Sequence, residues 1–461
     1  MNSEYVTLKN RALSIHKMIK SNKKKIYPIP YLNDIYADLD KVYLDFISKH
    51  LIEEDIDDPN QLFLIKKFID ITNESVLSLL QNASHIRNPK AITIPIREKF
   101  EQTDSDALYL PELIWNVNYY IGEASRRYND FINNSLDINY KLNKKIYRFG
   151  IPHFYQDNVL MSGIIGHELG HYLDLHSGLN ISEKLLVKFS NNEFLLNDLK
   201  DFVVSGNGLI TDDTTKKEII RLFIVNRNLY FVNWLNEFVA DSLGVILYGP
   251  CSIFSSEYLI QSVSLIHGQV KDGSSVTHPR NVIRSKFKLR TLNFMDYSDE
   301  DLPKVFLDEI ERNHKKWIDA ESELNIQETI GLGSYNNIPY GIGNLSTVLE
   351  RIEEFFLNQI DFIVKECREA VDQSIVYTPS EMIESINVLS QKIGDLLPPN
   401  DLLDGKPSDS ISIINAGWLA YLNPSDLLSN RYSSKYEQLE TINNLLERAL
   451  EVSFIHRRWL E

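Results

Sequence analysis

Histidines four residues apart on a helix leave it from one face, and this chain has such a pair inside Gly166-His167-Glu168-Leu169-Gly170-His171. The spacing predicts a helix over about 158–176 that stops at Ser177-Gly178, a usual C-terminal signal. Two imidazoles aimed the same way can grip one metal ion. Glu168 stands beside them, within reach of a water that such an ion activates.

A structural zinc takes four protein ligands, whereas a catalytic zinc takes three and leaves a position for water. Two cysteines, Cys251 and Cys367, are too few for a thiolate site, so the third donor has to be another histidine or a carboxylate. His176 lies five residues after His171, about 140° round a helix from it, and reads as a surface or outer residue. Glu237, in Asn236-Glu237-Phe238-Val239-Ala240-Asp241, is the better ligand. Its surroundings, Trp234, Leu235, Phe238, Val239, Ala240 and Leu243, are apolar nearly all round, and a carboxylate buried there needs a partner. Asp241, one turn on, shares its face and is placed to accept the free N–H of a ligand histidine and fix its tautomer. On that reading Asp241→Asn weakens the metal site without unfolding the chain.

A third element follows: Thr277-His278-Pro279-Arg280-Asn281-Val282-Ile283-Arg284. Alone it is a loop entering a helix. Taken with the other two, in this order, it resembles the gluzincin zinc metallopeptidases that include the CaaX prenyl endopeptidase family and bacterial membrane-stress peptidases. The soluble Lit-type phage-exclusion peptidases are similar over the same three motifs. The resemblance covers about 163–284. It implies a zincin-like catalytic domain, zinc held by His167, His171 and Glu237, Glu168 as general base, and His278 or Arg284 at the developing oxyanion. The membrane members have spanning helices and this chain has none. That favours a soluble protein substrate over a membrane or prenylated one.

Composition narrows the partners. A net charge of −16 argues against nonspecific binding to nucleic acid or to anionic membrane. The best apolar stretches, Ser242–Ser256 and Ser410–Ser425, fall below the roughly 20 residues a spanning helix needs. The N-terminus has no apolar core of a signal peptide, and so few cysteines fit a reducing, cytoplasmic setting.

The expected fold is mainly α with a small β-sheet: an N-terminal helical region (1–90), a zincin-like domain with its active-site helix beside the sheet (91–300), and a C-terminal helical region (301–461). Asp58-Pro59 and Thr378-Pro379-Ser380-Glu381 are helix starts. Asn88-Pro89 punctuates the chain, and Ile92–Ile96 reads as an edge strand because Pro95 has no N–H to give. Leu110–Asn133 reads as helix and Lys145–Ile151 as strand, with substrate backbone adding to the sheet edge near Ile146–Ile151. Segments at 214–229 and 230–247 read as helices, the second ended by Gly249-Pro250. The glycine-rich 329–344 reads as a flexible linker, and 346–371 as one long helix. The function these features point to is a soluble zinc endopeptidase acting on an intracellular protein. The alternatives are a helical binding or scaffold protein with a structural or degenerate zinc site, and a triggered effector protease of the phage-exclusion type.

Overall fold

The computed structural model describes residues 2–25, 32–52, 56–83, 90–104, 107–116, 119–266, 269–297, 302–322, 328–335 and 338–460. Asn88-Pro89 lies outside them. Among the described residues the chain is mainly helical, with three small sheets of three strands each. No described helix is long and apolar enough to cross a membrane.

Two compact units form: Met1–Thr93 with Phe100–Gln156, and Ile94–Lys99 with Asp157–Glu461. This grouping differs from the three expected regions. The C-terminal helices bury their apolar faces on the helix that carries Glu237 and on the helix after it: Phe356 packs on Phe231 and Phe238, and Trp418 packs on Phe254.

The first unit opens with helices Ser3–Asn22, Leu32–His50 and Pro59–Ile71. The Asp58 carboxylate accepts the Asn60 N–H ahead of Pro59, as the sequence predicts. Phe46 and Phe68, ring centroids 4.0 Å apart, centre a core that includes Tyr43 and Tyr128. The unit's sheet has the order β1 (Ala107–Ile114), β3 (Lys145–Pro152), β2 (Tyr120–Glu123), with β1 parallel and β2 antiparallel to β3.

Three expectations change here. Pro95 lies inside a helix, Lys90–Thr103, and not in an edge strand. Burial of Ile92, Ile94, Ile96 and Phe100 on that helix outweighs the one hydrogen bond the proline forgoes. The edge-strand proline is Pro111 in β1, within a stretch expected to be helical; helix begins there only at Ala124, in the helix Ala124–Ser135. Finally, β3 is the central strand with a neighbour on each side, so Ile146–Ile151 offers no free edge to a substrate. This sheet also belongs to the first unit, whereas the helix carrying His167 belongs to the second.

In the second unit a 3-10 segment, Val159–Ile164, leads into the motif helix, Ile165–Leu175. The glutamate helix, Tyr230–Tyr248, is stopped by Gly249 at φ +63°, and Pro250 starts the next helix, Pro250–Val263. The arginine helix, Asn281–Phe294, follows the Thr-His-Pro segment. A phenylalanine cluster ties these together: Phe238 stacks on Phe287 at 4.1 Å, and Phe356 lies 4.7 Å from Phe231 and 5.0 Å from Phe238.

The second sheet has the order β4 (Val203–Ser205), β9 (Ile338–Gly343), β8 (Thr329–Tyr335), all antiparallel. The expected linker at 329–344 is therefore a pair of strands. Two of its glycines serve close pairing: a Cβ on Gly341 would stand 2.2 Å from the Ile330 carbonyl oxygen, and one on Gly343 2.9 Å from Val204 Cγ1. The third sheet joins β5 (Leu265–Ile266), β6 (Gln269–Asp272) and β7 (Glu321–Ser322). The expected long helix at 346–371 is two helices, Leu345–Asn358 and Ile360–Ala370, broken at Gln359 just after the Phe355-Phe356 pair that packs inward. The capping box at Thr378 is formed in full.

The motif and glutamate helices cross at small residues. A Cβ on Gly170 would lie 2.7 Å from the Ala240 carbonyl oxygen, and one on Gly244 would lie 3.0 Å from the His167 nitrogen. Gly170→Ala gains about 1 kcal/mol of helix propensity. Against it stands a backbone that cannot yield, and overpacking of this kind costs about 1–3 kcal/mol. The variant is expected to unfold at lower urea concentration than the parent chain, and a higher midpoint would show that the crossing is looser than described.

Candidate metal centre

Close crossing is what assembles the site. His167 and His171 leave one face of the motif helix with ring centroids 4.7 Å apart and planes at 83°. Glu237 rises from the glutamate helix between them: Oε2 is 3.5 Å from His167 Nε2, and Oε1 is 3.3 Å from His171 Nε2. The ligand atoms of the three residues all lie within 4.8 Å of one another, and the group could hold a metal ion. His176 is exposed, outside this group, and stacks on Tyr172.

Asp241 lies one turn below Glu237 with its side chain wholly buried, Oδ1 3.0 Å from His167 Nδ1 but off the line of a straight hydrogen bond. The sequence reading has Asp241 accept the free N–H of His167 as a ligand histidine; the two groups stand side by side, but that hydrogen bond is not formed. Its stronger partner is Arg284, whose Nε donates to Oδ2 at 2.7 Å and Nη2 to Oδ1 at 2.9 Å. The same Nη2 lies 3.0 Å from Glu237 Oε2. Arg284 is 6% exposed. Its guanidinium is thus taken up by two carboxylates, which differs from the oxyanion role the resemblance implies; in this structure it holds Glu237 and Asp241 in place.

Two further charged residues extend the cluster, and the sequence reading passed over both. Lys288 Nζ lies 3.9 Å from Asp241 Oδ1 and 3.5 Å from Glu257 Oε1, and donates to Ser256 Oγ at 2.9 Å. Glu257 in turn accepts from Trp317 Nε1 at 2.5 Å. Both were legible by the argument used for Glu237. Lys288 follows Arg284 by one helical turn, and Glu257 sits on a helix whose neighbours are largely buried.

The electrostatics suit a divalent cation. Three buried carboxylates (Glu237, Asp241, Glu257) meet two buried cations (Arg284, Lys288), an excess of one negative charge before Glu168 is counted. Burial works against ionisation of Glu237, but the Arg284 charge and the two imidazoles prevail and hold it well below the usual carboxylate range. Asp241 is depressed the same way, chiefly by Arg284. Burial keeps His167 below its ordinary value, and so neutral, the form that gives a lone pair to a metal. On His171 the Glu237 carboxylate overcomes burial and raises it, so a metal would displace a proton there. Glu237 Oε2 is buried and accepts no well-directed hydrogen bond among the described residues, leaving a lone pair for an ion.

Glu168 stands next to the three. The protein packed round its carboxyl pushes it up to about 7, with the Glu237 charge adding to this and His171 and Arg284 opposing it. His278 is the most exposed of the site residues, its side chain 55% accessible, with Nε2 3.9 Å from Glu237 Oε1. It lies beside the three-residue group and is not one of its members.

Comparison with known proteins returned nothing: no family model, no curated protein and no solved structure matches this chain. The resemblance to gluzincin peptidases therefore rests on the residues of the three motifs alone.

The partners of Asp241 set a test. Asp241→Asn removes the anion that Arg284 is paired with, and breaking a buried pair in this way costs about 3–5 kcal/mol. The loss is expected in urea unfolding of metal-free protein, before any metal effect is measured. His171→Ala, at a partly open position, gives up only the contact with Glu237 and is expected to lower metal affinity while leaving most of the stability. Equal stability of Asp241→Asn and the parent chain would contradict the ion-pair account.

Proposed function

We propose that the chain is a zinc-dependent endopeptidase of the gluzincin kind, with a zincin-like site formed by the motif, glutamate and arginine helices. One observation carries the reading: three ligand atoms, and not four, converge among the described residues beside the Glu168 carboxyl, which sits near neutrality. His167, His171 and Glu237 would hold the zinc. When bound, zinc acidifies water and polarises a carbonyl as a Lewis acid.

The chain's own residues do the rest. Glu168 accepts the proton of the attacking water and delivers it to the leaving amine, a task suited to a carboxyl poised near 7. Arg284 keeps Glu237 ionised and fixed, and Asp241 stands against the far nitrogen of His167. His278, on the open side, is placed to donate to the substrate oxygen that gains charge. The opening on the His171 and His278 side favours a protein or peptide substrate that approaches from solvent.

Protein purified from zinc-replete medium is expected to carry about one zinc per chain, measured by elemental analysis. Glu168→Gln keeps the zinc and the fold, because the amide is nearly isosteric and touches no ligand role. Cleavage of unfolded protein is expected to fall by about 10²–10⁴ in that variant. Near-normal cleavage by Glu168→Gln would falsify the assignment of the base. Zinc in both proteins with cleavage in neither would favour the structural-site alternative.

A further inference from the structure

The turn that carries His278 is fastened on several sides. Trp234 Nε1 donates to the Ser275 carbonyl at 2.8 Å, and Asn233 Nδ2 donates to the Val276 carbonyl at 3.1 Å. Both come from the glutamate helix, one turn ahead of Glu237. Asp272 accepts the N–H groups of Asn281 at 2.6 Å and Val282 at 3.0 Å, which caps the arginine helix directly after the turn.

Inside the turn the hydroxyls of Ser275 and Thr277 form a chain of contacts that ends on the His278 ring. The His278 N–H donates to Ser275 Oγ at 3.0 Å, Ser275 Oγ lies 3.2 Å from Thr277 Oγ1, and Thr277 Oγ1 lies 2.8 Å from His278 Nδ1. When Ser275 donates to Thr277 and Thr277 donates to Nδ1, the ring proton sits on Nε2. A protonated Nε2 facing the metal group is a hydrogen-bond donor and not a ligand.

The remaining anchor comes from far along the chain. Arg280 Nε donates to Glu353 Oε1 at 3.0 Å and Oε2 at 2.9 Å, and its Nη2 also bonds Oε2. Glu353 is 4% exposed, on the helix Leu345–Asn358 between the buried Ile352 and Phe355-Phe356. An apolar residue there would serve stability as well or better, since a buried ion pair is weak as a source of stability. What the pair does supply is a fixed fork geometry two residues from His278.

We propose that Glu353 and Arg280 are positioning residues for the proposed peptidase site: their bidentate pair sets where His278 Nε2 stands, so that it can donate to an oxyanion forming beside Glu237. This rests on the peptidase reading above. It gives the C-terminal part of the chain a direct part in the site, through one carboxylate.

The test uses the full zinc-loaded chain and two probes. Acetohydroxamate binds a metal without needing a neighbouring donor; a phosphinate pseudo-dipeptide presents the tetrahedral oxyanion as well. Glu353→Gln and Arg280→Met are expected to keep the parent zinc content and acetohydroxamate affinity. Their phosphinate affinity is expected to fall about 10²-fold, the scale for a group displaced by an ångström. His278→Ala is expected to lose about 10²–10³ in the same measurement. Adding Glu353→Gln to His278→Ala should cost nothing further, because the first acts only through the second. Exchanging the partners, Arg280→Glu with Glu353→Arg, should recover part of the loss. If Glu353→Gln does not fold, Glu353→Asp, which keeps the charge and shortens the reach, carries the same comparison. Unchanged phosphinate affinity in the Glu353 variants, or a loss that persists in the His278→Ala background, overturns the assignment alone. A parent chain that binds zinc but neither probe overturns the peptidase reading and the assignment with it.

Discussion

The site depends on how near the motif and glutamate helices can come. Helix axes are ordinarily held apart by the side chains at the contact. Here the contact is made by Gly166 and Gly170 on one helix and Ala240 and Gly244 on the other, so backbone meets backbone. Only with that approach do short side chains reach a common point: two imidazoles and a carboxylate whose ligand atoms span no more than 4.8 Å. The phenylalanine cluster around Phe238 holds the outer side of the glutamate helix and keeps the crossing loaded from behind.

Bringing Glu237 and Asp241 into that crossing creates an electrostatic debt that the arginine helix meets. Arg284 binds both carboxylates, Lys288 stands between Asp241 and Glu257, and Glu257 takes the indole N–H of Trp317. Such a chain of buried charges is rigid because each member would be costly to leave alone. It leaves Glu237 Oε2 without a well-directed hydrogen bond among the described residues, and Glu168 near neutrality, the two features on which the proposed chemistry relies.

His278 belongs to a different mechanical element. It rides on a turn, not on a helix, and the turn is held by the side chains of Trp234 and Asn233 donating to its main-chain carbonyls and by Arg280 reaching Glu353. The residues that would bind an ion are thus set by helix packing, and the residue that would face the substrate is set by a loop with tertiary anchors. Damage to one need not disturb the other.

The sequence by itself determined the local parts: the motif helix, Glu237 and Asp241 on one face, the stop at Gly249-Pro250, the caps at Asp58 and Thr378. These follow from spacing and from short-range chemistry. Tertiary structure decided what spacing cannot carry. Pro95 and Pro111 are both prolines beside apolar residues, and which one lies in a helix and which in an edge strand depended on what each segment buries. The glycines of 329–344 are the same residues whether they loosen a linker or let strands pair closely, and only the partner β4 distinguishes the two. Arg284 was visible as a motif residue, but its engagement with both Asp241 and Glu237 required a third helix to pack across the first two. Glu353 lies 73 residues after Arg280, and no local rule links such positions; their contact exists because the helix Leu345–Asn358 buries Phe355 and Phe356 against the glutamate helix and so delivers a carboxylate to Arg280.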